Sequence, residues 1–347
     1  MMEATPPHLN PRRSLAFDGF KLFLSAALLL LGGCHSPRPI QFGFYSVPKA
    51  DLTAVRELGV DFVVGTKTKE YLDAAKQLNL QVIGTGSKFH NHSALLGNYL
   101  SDEPDLLGIS PARIAIEYRN AKKKSLKPVF LNLSSGFSVE MYAPYCDVVT
   151  FDWYPIGWQP IETFYSNLRA ARLASGRKPF YAIIQAFDWS RYPTLVPPSS
   201  LYRVPTPSEV KAMTIWAAMS GAKGIMFYPY RDGKTAISDT PELITAIQES
   251  IEFIRTNEEF FGQSRVWEAY PFSFEKLSDR YNEISDPSIA IKYSHAAAGK
   301  GFHRLVAANT TNREIIVKPA PGFEIESVNE PIIFGPLEVK LFKIRKL

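Results

Sequence analysis

The chain has 347 residues, 46% of them hydrophobic, with 39 Lys and Arg against 34 Asp and Glu for a formal net charge of +5. That length holds a large domain and a small one, with enough apolar material for a packed core. The basic runs are confined to "AKKKSLK" (121–127) and the terminal "KLFKIRKL", which read as a helix end and an edge strand, so nothing marks a nucleic-acid partner.

Residues 1–34 read as an export leader. Arg12, Arg13 and Lys21 supply a basic start, the apolar run "LFLSAALLLL" (22–31) is too short to span a bilayer comfortably, and "LGGC" closes it. That ending resembles the bacterial lipoprotein signal. The resemblance implies that Cys34 becomes the lipidated first residue and that the protein is exported and held at a membrane surface. His35 is no inner-membrane retention signal, so the outer membrane is the expected address in a host that has one. An uncleaved membrane anchor is the alternative. With Cys34 lipidated, Cys146 is the remaining cysteine and no internal disulfide is expected.

From residue 40 onward, short apolar runs alternate with amphipathic stretches. The runs are "IQFGFYSV" (40–47), "VDFVVGT" (60–66), "LQVIGTGS" (80–87), "LLGNYLSD" (95–102), "KPVFLNLS" (127–134), "CDVVTFDWYP" (146–155), "KPFYAIIQAF" (178–187) and "AKGIMFYPY" (222–230). Helix patterns lie between most of them, but "KFHNHSA" after the third run is too short for one. Continuously apolar strands alternating with helices predict a parallel sheet buried on both faces. Eight such units predict an α/β chain folded as a (β/α)8 TIM barrel over 35–263. A doubly wound sheet is the rival, but no glycine-rich phosphate loop follows the first run. Beyond the helix pattern at 240–261 the rhythm changes to strand-like runs separated by Gly, Pro and Asn, which predicts a small antiparallel β domain over 264–347.

Barrel enzymes carry their chemistry at the C-terminal ends of the strands. Those ends hold Tyr45, then Asp102 and Glu103 in "YLSDEPD", Asn132, Asp152 with Trp153 and Tyr154 in "TFDWYPI", Gln185, and Tyr228. Rings stack on the apolar face of a sugar while carboxylates and amides hydrogen-bond its hydroxyls, so the expected partner is a glycan. Glycosidic cleavage needs a proton donor for the leaving oxygen. Glu103 is the candidate: aromatic surroundings would raise its pKa by desolvation, and Asp102 beside it adds like-charge repulsion. Tyr45, Asn132, Asp152, Tyr154, Gln185 and Tyr228 are the candidate ligands to the sugar. No metal or organic cofactor is expected, because His90 and His92 in "HNH" have no matching acid cluster. Oligomeric state is not legible.

The "DEP" motif at the end of the fourth strand resembles that of barrel glycoside hydrolases, in which a Glu before Pro is the acid/base. In the large retaining clan the motif is Asn-Glu-Pro, and a second Glu ending the seventh strand is the nucleophile. Here Asp102 replaces the Asn and Gln185 stands where the second Glu would be. The adjacent Asp-Glu pair also resembles substrate-assisted β-N-acetylhexosaminidases and β-N-acetylgalactosaminidases. That resemblance implies that the substrate's acetamido oxygen attacks, Asp102 orients it, and Glu103 is acid/base. A third possibility makes Asp152 the carboxylate opposite Glu103.

Plainer roles compete for each residue. Ser-Asp-Glu-Pro after a strand is also a helix-initiating turn, Gln185 is equally a buried hydrogen bonder, and Arg231-Asp232-Gly233 is most simply a turn. The rival from another class is a glycan-binding barrel lipoprotein without hydrolytic activity, supported by the missing glutamate on the seventh strand.

Overall fold

The computed structural model describes residues 39–261, 266, 268–274, 287–326, 328 and 331–347, so the leader with Cys34 and the 263/264 boundary lie outside the described residues. Eight parallel strands close into a barrel in sequence order: β1 (Gln41–Phe44), β2 (Phe62–Thr66), β3 (Gln81–Thr85), β4 (Leu95–Tyr99), β5 (Val129–Leu133), β6 (Val148–Asp152), β7 (Phe180–Gln185) and β8 (Gly224–Tyr228). β1 pairs with both β2 and β8, which completes the ring. Each of the eight apolar runs supplies one strand, as continuous burial on both faces requires.

Large rings fill the barrel. Phe62, Val64, Ile83, Phe130, Val148, Tyr181, Ile183 and Met226 form one inner cluster, with Tyr45, Tyr99, Tyr154 and Tyr228 packed against it. Neighbouring strands make room with glycine: a Cβ on Gly43 would sit 2.5 Å from the Phe62 ring, and one on Gly224 would sit 2.2 Å from Tyr181. An alanine at either place would therefore push a core ring aside.

The surrounding helices begin where the sequence provides caps. Ser110 accepts from the Arg113 N–H at the start of Pro111–Lys124, and Thr206 and Glu209 form a capping box on Pro207–Met219. Glu209 also takes a bidentate pair from Arg203 at 2.7 Å on both oxygens. The helix Pro207–Met219 is buried nearly all round, and Val306 and Ala308 from the later sheets share the core cluster that it belongs to. No helix among the described residues is long and apolar enough to cross a membrane.

No helix covers the β3–β4 connection. The side chain of Lys67 lies over Gly84, where a Cβ would meet it at 2.3 Å, and its Nζ donates to Asn98 Oδ1 at 2.8 Å and meets His90 Nδ1 at 3.1 Å. Ser125 closes this network by donating to the His90 carbonyl at 2.7 Å and accepting from Asn98 at 3.2 Å. A polar plug thus stands where other units place an apolar helix face. Burial, then the charge of Lys124, lowers the Lys67 ammonium to about 8.

After the barrel, β10 (Ile291–Gly299), β11 (Phe302–Asn309), β13 (Phe323–Ile325) and β15 (Val339–Lys346) form one antiparallel sheet in the order β10-β11-β15-β13. A second sheet orders as β14 (Ile332–Phe334), β12 (Ile315–Pro319) and β9 (Phe272–Phe274). Phe272, Tyr293, Leu305, Phe334 and Phe342 share their core. These sheets belong to the same compact unit as the barrel.

Candidate active site

The C-terminal ends of β1, β4, β5, β6 and β8 bring most of the expected residues together. β4 ends at Tyr99 and the chain enters the Asp102-Glu103-Pro104 turn with Glu103 at φ 41°. That left-handed conformation costs a non-glycine residue roughly 1–3 kcal/mol. The third acid holds the turn in place. Asp105 accepts from the backbone N–H of Ser134 at 3.2 Å and of Ser135 at 2.9 Å, and also from the Ser138 hydroxyl. The loop after β5 is thereby tied to the turn after β4.

A chain of hydrogen bonds crosses the mouth. Tyr45 donates to the Tyr99 hydroxyl at 2.9 Å, and Tyr99 donates to Asp102 Oδ1 at 2.7 Å. Asn132, 1% exposed, donates from Nδ2 to Asp102 Oδ1 at 3.0 Å and to Asp152 Oδ2 at 3.0 Å. Two carboxylates on one side dictate which way this amide points. Asn132 Oδ1 therefore faces away from both, buried and without a donor, and Asp152 Oδ1 is likewise buried with no donor in hydrogen-bonding geometry among the described residues.

Glu103 and Asp152 lie within hydrogen-bonding reach of one another. Burial, reinforced by the Asp102 charge, pushes the Glu103 carboxyl up to about 7 against the pull of that contact. Asp152 is likewise driven well above the ordinary carboxylate range by burial and then by Glu103. A buried carboxyl pair with no cation beside it cannot readily ionise twice.

An aromatic wall stands over the carboxyls. Tyr154 and Tyr228 stack with centroids 5.9 Å apart at 23°, and Tyr45 meets Tyr228 edge-on at 5.3 Å. Tyr228 and Tyr192 both donate to Asp232 Oδ2, at 3.2 and 2.6 Å, and the Lys234 and Thr235 amides hold its other oxygen. Asp232 is a turn residue, as expected, and also anchors the wall. Trp189 donates to the Tyr154 carbonyl at 3.1 Å.

Gln185 does not join the site. Its Oε1 accepts from the Ile156 amide at 2.9 Å, and its Nε2 donates to the Ile156 and Phe187 carbonyls at 3.1 Å each. The residue is 0% exposed, so its amide clamps the loop after β6 and has nothing left to offer a sugar. His92 pairs with Asp73 and His90 belongs to the Lys67 plug; among the described residues no group of three His, Cys, Asp or Glu could hold a metal. A hollow of about 570 Å³ around Arg56, Asp61 and Arg255 lies at the other end of the barrel.

Sequence reasoning missed Tyr99, Tyr192 and Trp189. Tyr99 carries a signal in hindsight, since the last residue of a strand three places before an acid can reach it. Tyr192 and Trp189 sit in a loop without periodicity and carried none.

No protein-family model matches the sequence, and no curated protein matches it. Among solved structures, the fold is similar to a β-L-arabinopyranosidase of glycoside hydrolase family 27 from Geobacillus stearothermophilus, in complex with arabinose. The TM-score is 0.51 at 10% identity, covering 90% of this chain and 98% of that one. A β-galactosidase from Marinomonas ef1 matches with a TM-score of 0.50 at 10% identity, over 62% of this chain and 60% of that one. This chain thus aligns with about 60% of the length of that galactosidase. Identities this low carry the fold alone, which is a (β/α)8 barrel followed by antiparallel sheets.

Proposed function

We propose that the protein hydrolyses a glycosidic bond in a glycan at the barrel mouth, with Glu103 as general acid/base and Asp102 as its partner. The observation that supports this best is the position of Glu103, held at about 7 by burial and then by Asp102, at the end of a barrel strand beneath an aromatic wall. A carboxyl that keeps its proton near neutral pH can give it to a leaving oxygen and recover it from water. Tyr45, Asn132, Asp152, Tyr154 and Tyr228 would bind and orient the sugar. In this reading the lipid at Cys34 holds the enzyme at the membrane surface.

Gln185 supplies no nucleophile, being an amide clamped by backbone. The attacking oxygen then comes from the substrate's own acetamido group, oriented by Asp102, or from water. Asp152 is a poor opposite carboxylate, because groups flanking a glycosidic bond stand about 5–9.5 Å apart. Carboxyls within hydrogen-bonding reach stand closer than that, so Asp152 is better placed as a neighbour that tunes Glu103.

Glu103→Gln should lower hydrolysis of substrates with poor leaving groups by about 10²–10⁴-fold while preserving binding. Aryl glycosides with very good leaving groups should be partly spared. Asp102→Asn should be severe on 2-acetamido substrates only if that group attacks. Activity that depends on protonated Glu103 should fall as pH rises through about 7. Full activity of Glu103→Gln on an unactivated oligosaccharide would end the catalytic reading of this motif and leave the helix-initiating turn as its explanation; binding of a glycan by the native protein without any hydrolysis would leave the glycan-binding barrel in its place.

A further inference from the structure

We propose that the barrel mouth recognises a sugar bearing a protonated amine and rejects sugars bearing a carboxylate, sulfate or phosphate. This rests on the reading of the mouth as a sugar site and names the substrate class. It commits the attacking group to water, since a free amine has no acetamido oxygen.

Three features of the mouth point the same way. The first is charge. Asp102, Glu103 and Asp152 lie in one connected group, and no Lys or Arg among the described residues hydrogen-bonds or ion-pairs with any of them. The groups that perturb Glu103 are Asp102, Asp152 and Asp105; those that perturb Asp152 are Glu103, Asp102, Asn132 and Tyr154. The chain's surplus of basic residues is therefore absent where the acids gather. A carboxyl cluster this short of counter-charge is relieved by a cation from the ligand.

The second feature is hydrogen-bonding sense. Beside the acid proton of Glu103, the floor offers a buried acceptor without a partner. Asn132 Nδ2 is held by Asp102 and Asp152, leaving its Oδ1 buried and unpartnered at 1% exposure. Such groups are ordinarily satisfied in a working site. An ammonium brings three N–H donors and no acceptor. An acetamide brings one N–H and a carbonyl oxygen, which the carboxylates would repel. A uronate or sulfate brings acceptors only.

The third is the wall. The Tyr154–Tyr228 pair stacks beside the acids, and aromatic rings attract a cation as well as the apolar side of a sugar. Charge, donor sense and ring electrostatics thus select one ligand chemistry.

The test is isothermal titration of the purified protein at pH 6 with four tetrasaccharides: fully deacetylated chitosan, chitin, cellotetraose and tetragalacturonate. The chitosan oligomer should bind about tenfold tighter than cellotetraose or more, tetragalacturonate should show no binding, and the preference should shrink with added salt. Asp102→Asn removes one of the acids and should reduce the ratio of chitosan-oligomer affinity to cellotetraose affinity severalfold. Equal binding of the amine and neutral oligomers, tighter binding of chitin or the uronate, or binding of none overturns the proposal. Hydrolysis is scored separately in the same samples. Binding in the expected order without cleavage removes the hydrolase reading and keeps this one; cleavage without preference for the amine does the reverse.

Discussion

The hydroxyl of Tyr99 lies 2.7 Å from Oδ1 of Asp102, three residues further along the same chain. Because Tyr99 also accepts from Tyr45, it fixes Asp102 from the barrel side while Asn132 fixes it from the next strand. Tyr99→Phe should keep the ring in the inner cluster and lose both hydroxyl bonds. A stability loss of about 1–2 kcal/mol in urea unfolding is expected, with a larger fall in turnover than in binding. Unchanged turnover would show that Asp102 needs no such support.

Gln185→Glu would restore the two-glutamate pattern of retaining barrel glycosidases in sequence. In this fold it should fail. The new carboxylate would face the carbonyls of Ile156 and Phe187 instead of donating to them, at a cost of about 2–4 kcal/mol. The check is a lowered urea midpoint with no gain in glycosidase activity.

Lys67 tests the plug beside β3. Its folded pKa of about 8 lies below the ordinary 10.5, so the unfolded chain holds the proton more tightly between those values. Stability should therefore rise with pH across that window and carry the full cost of the buried charge below it. His90 and Lys124 are the titratable groups facing Lys67. Lys67→Met removes the charge and should flatten the slope of Tm against pH between 8 and 10, with Tm at pH 7 raised by a few degrees.

The Leu-Gly-Gly-Cys ending predicts that Cys34→Ser releases the protein from membranes or leaves an unprocessed precursor. Fractionation and precursor size on a gel measure it, and normal maturation with unchanged membrane association would overturn the lipid anchor.

Much of the barrel was legible because its determinants are local. A strand buried on both faces must be mainly apolar, and each of the eight runs was, with polar residues such as Asn98, Asn132, Asp152 and Gln185 near the C-terminal ends. The three-residue strands β9, β13 and β14 were not legible, since three residues carry no period. The mouth was legible where barrel geometry alone decides which residues meet. That is why Asp102, Glu103, Asn132 and Asp152 were found together. Gln185 was misplaced for the converse reason: two of its three bonds go to Ile156, 29 residues away. Nothing near Gln185 in sequence tells an amide aimed at solvent from one aimed at backbone.

The crowding at the β4 turn sets a direction for change over generations. Glu103 sits in a left-handed backbone conformation, and burial raises its pKa from 4.5 to about 7, so the native state loses stability as pH rises through that interval. A substitution to Asn or Gly at this position would discard the charge and relax the backbone together, gaining on the order of 2 kcal/mol above pH 7. Under the proposed mechanism the same substitution deletes the proton donor. Inactivation is therefore the thermodynamically downhill path for this barrel. Descendants that retain the aromatic wall without the acid would be more heat-resistant than their ancestor, and under the proposed mechanism selection on turnover is what would keep the glutamate there.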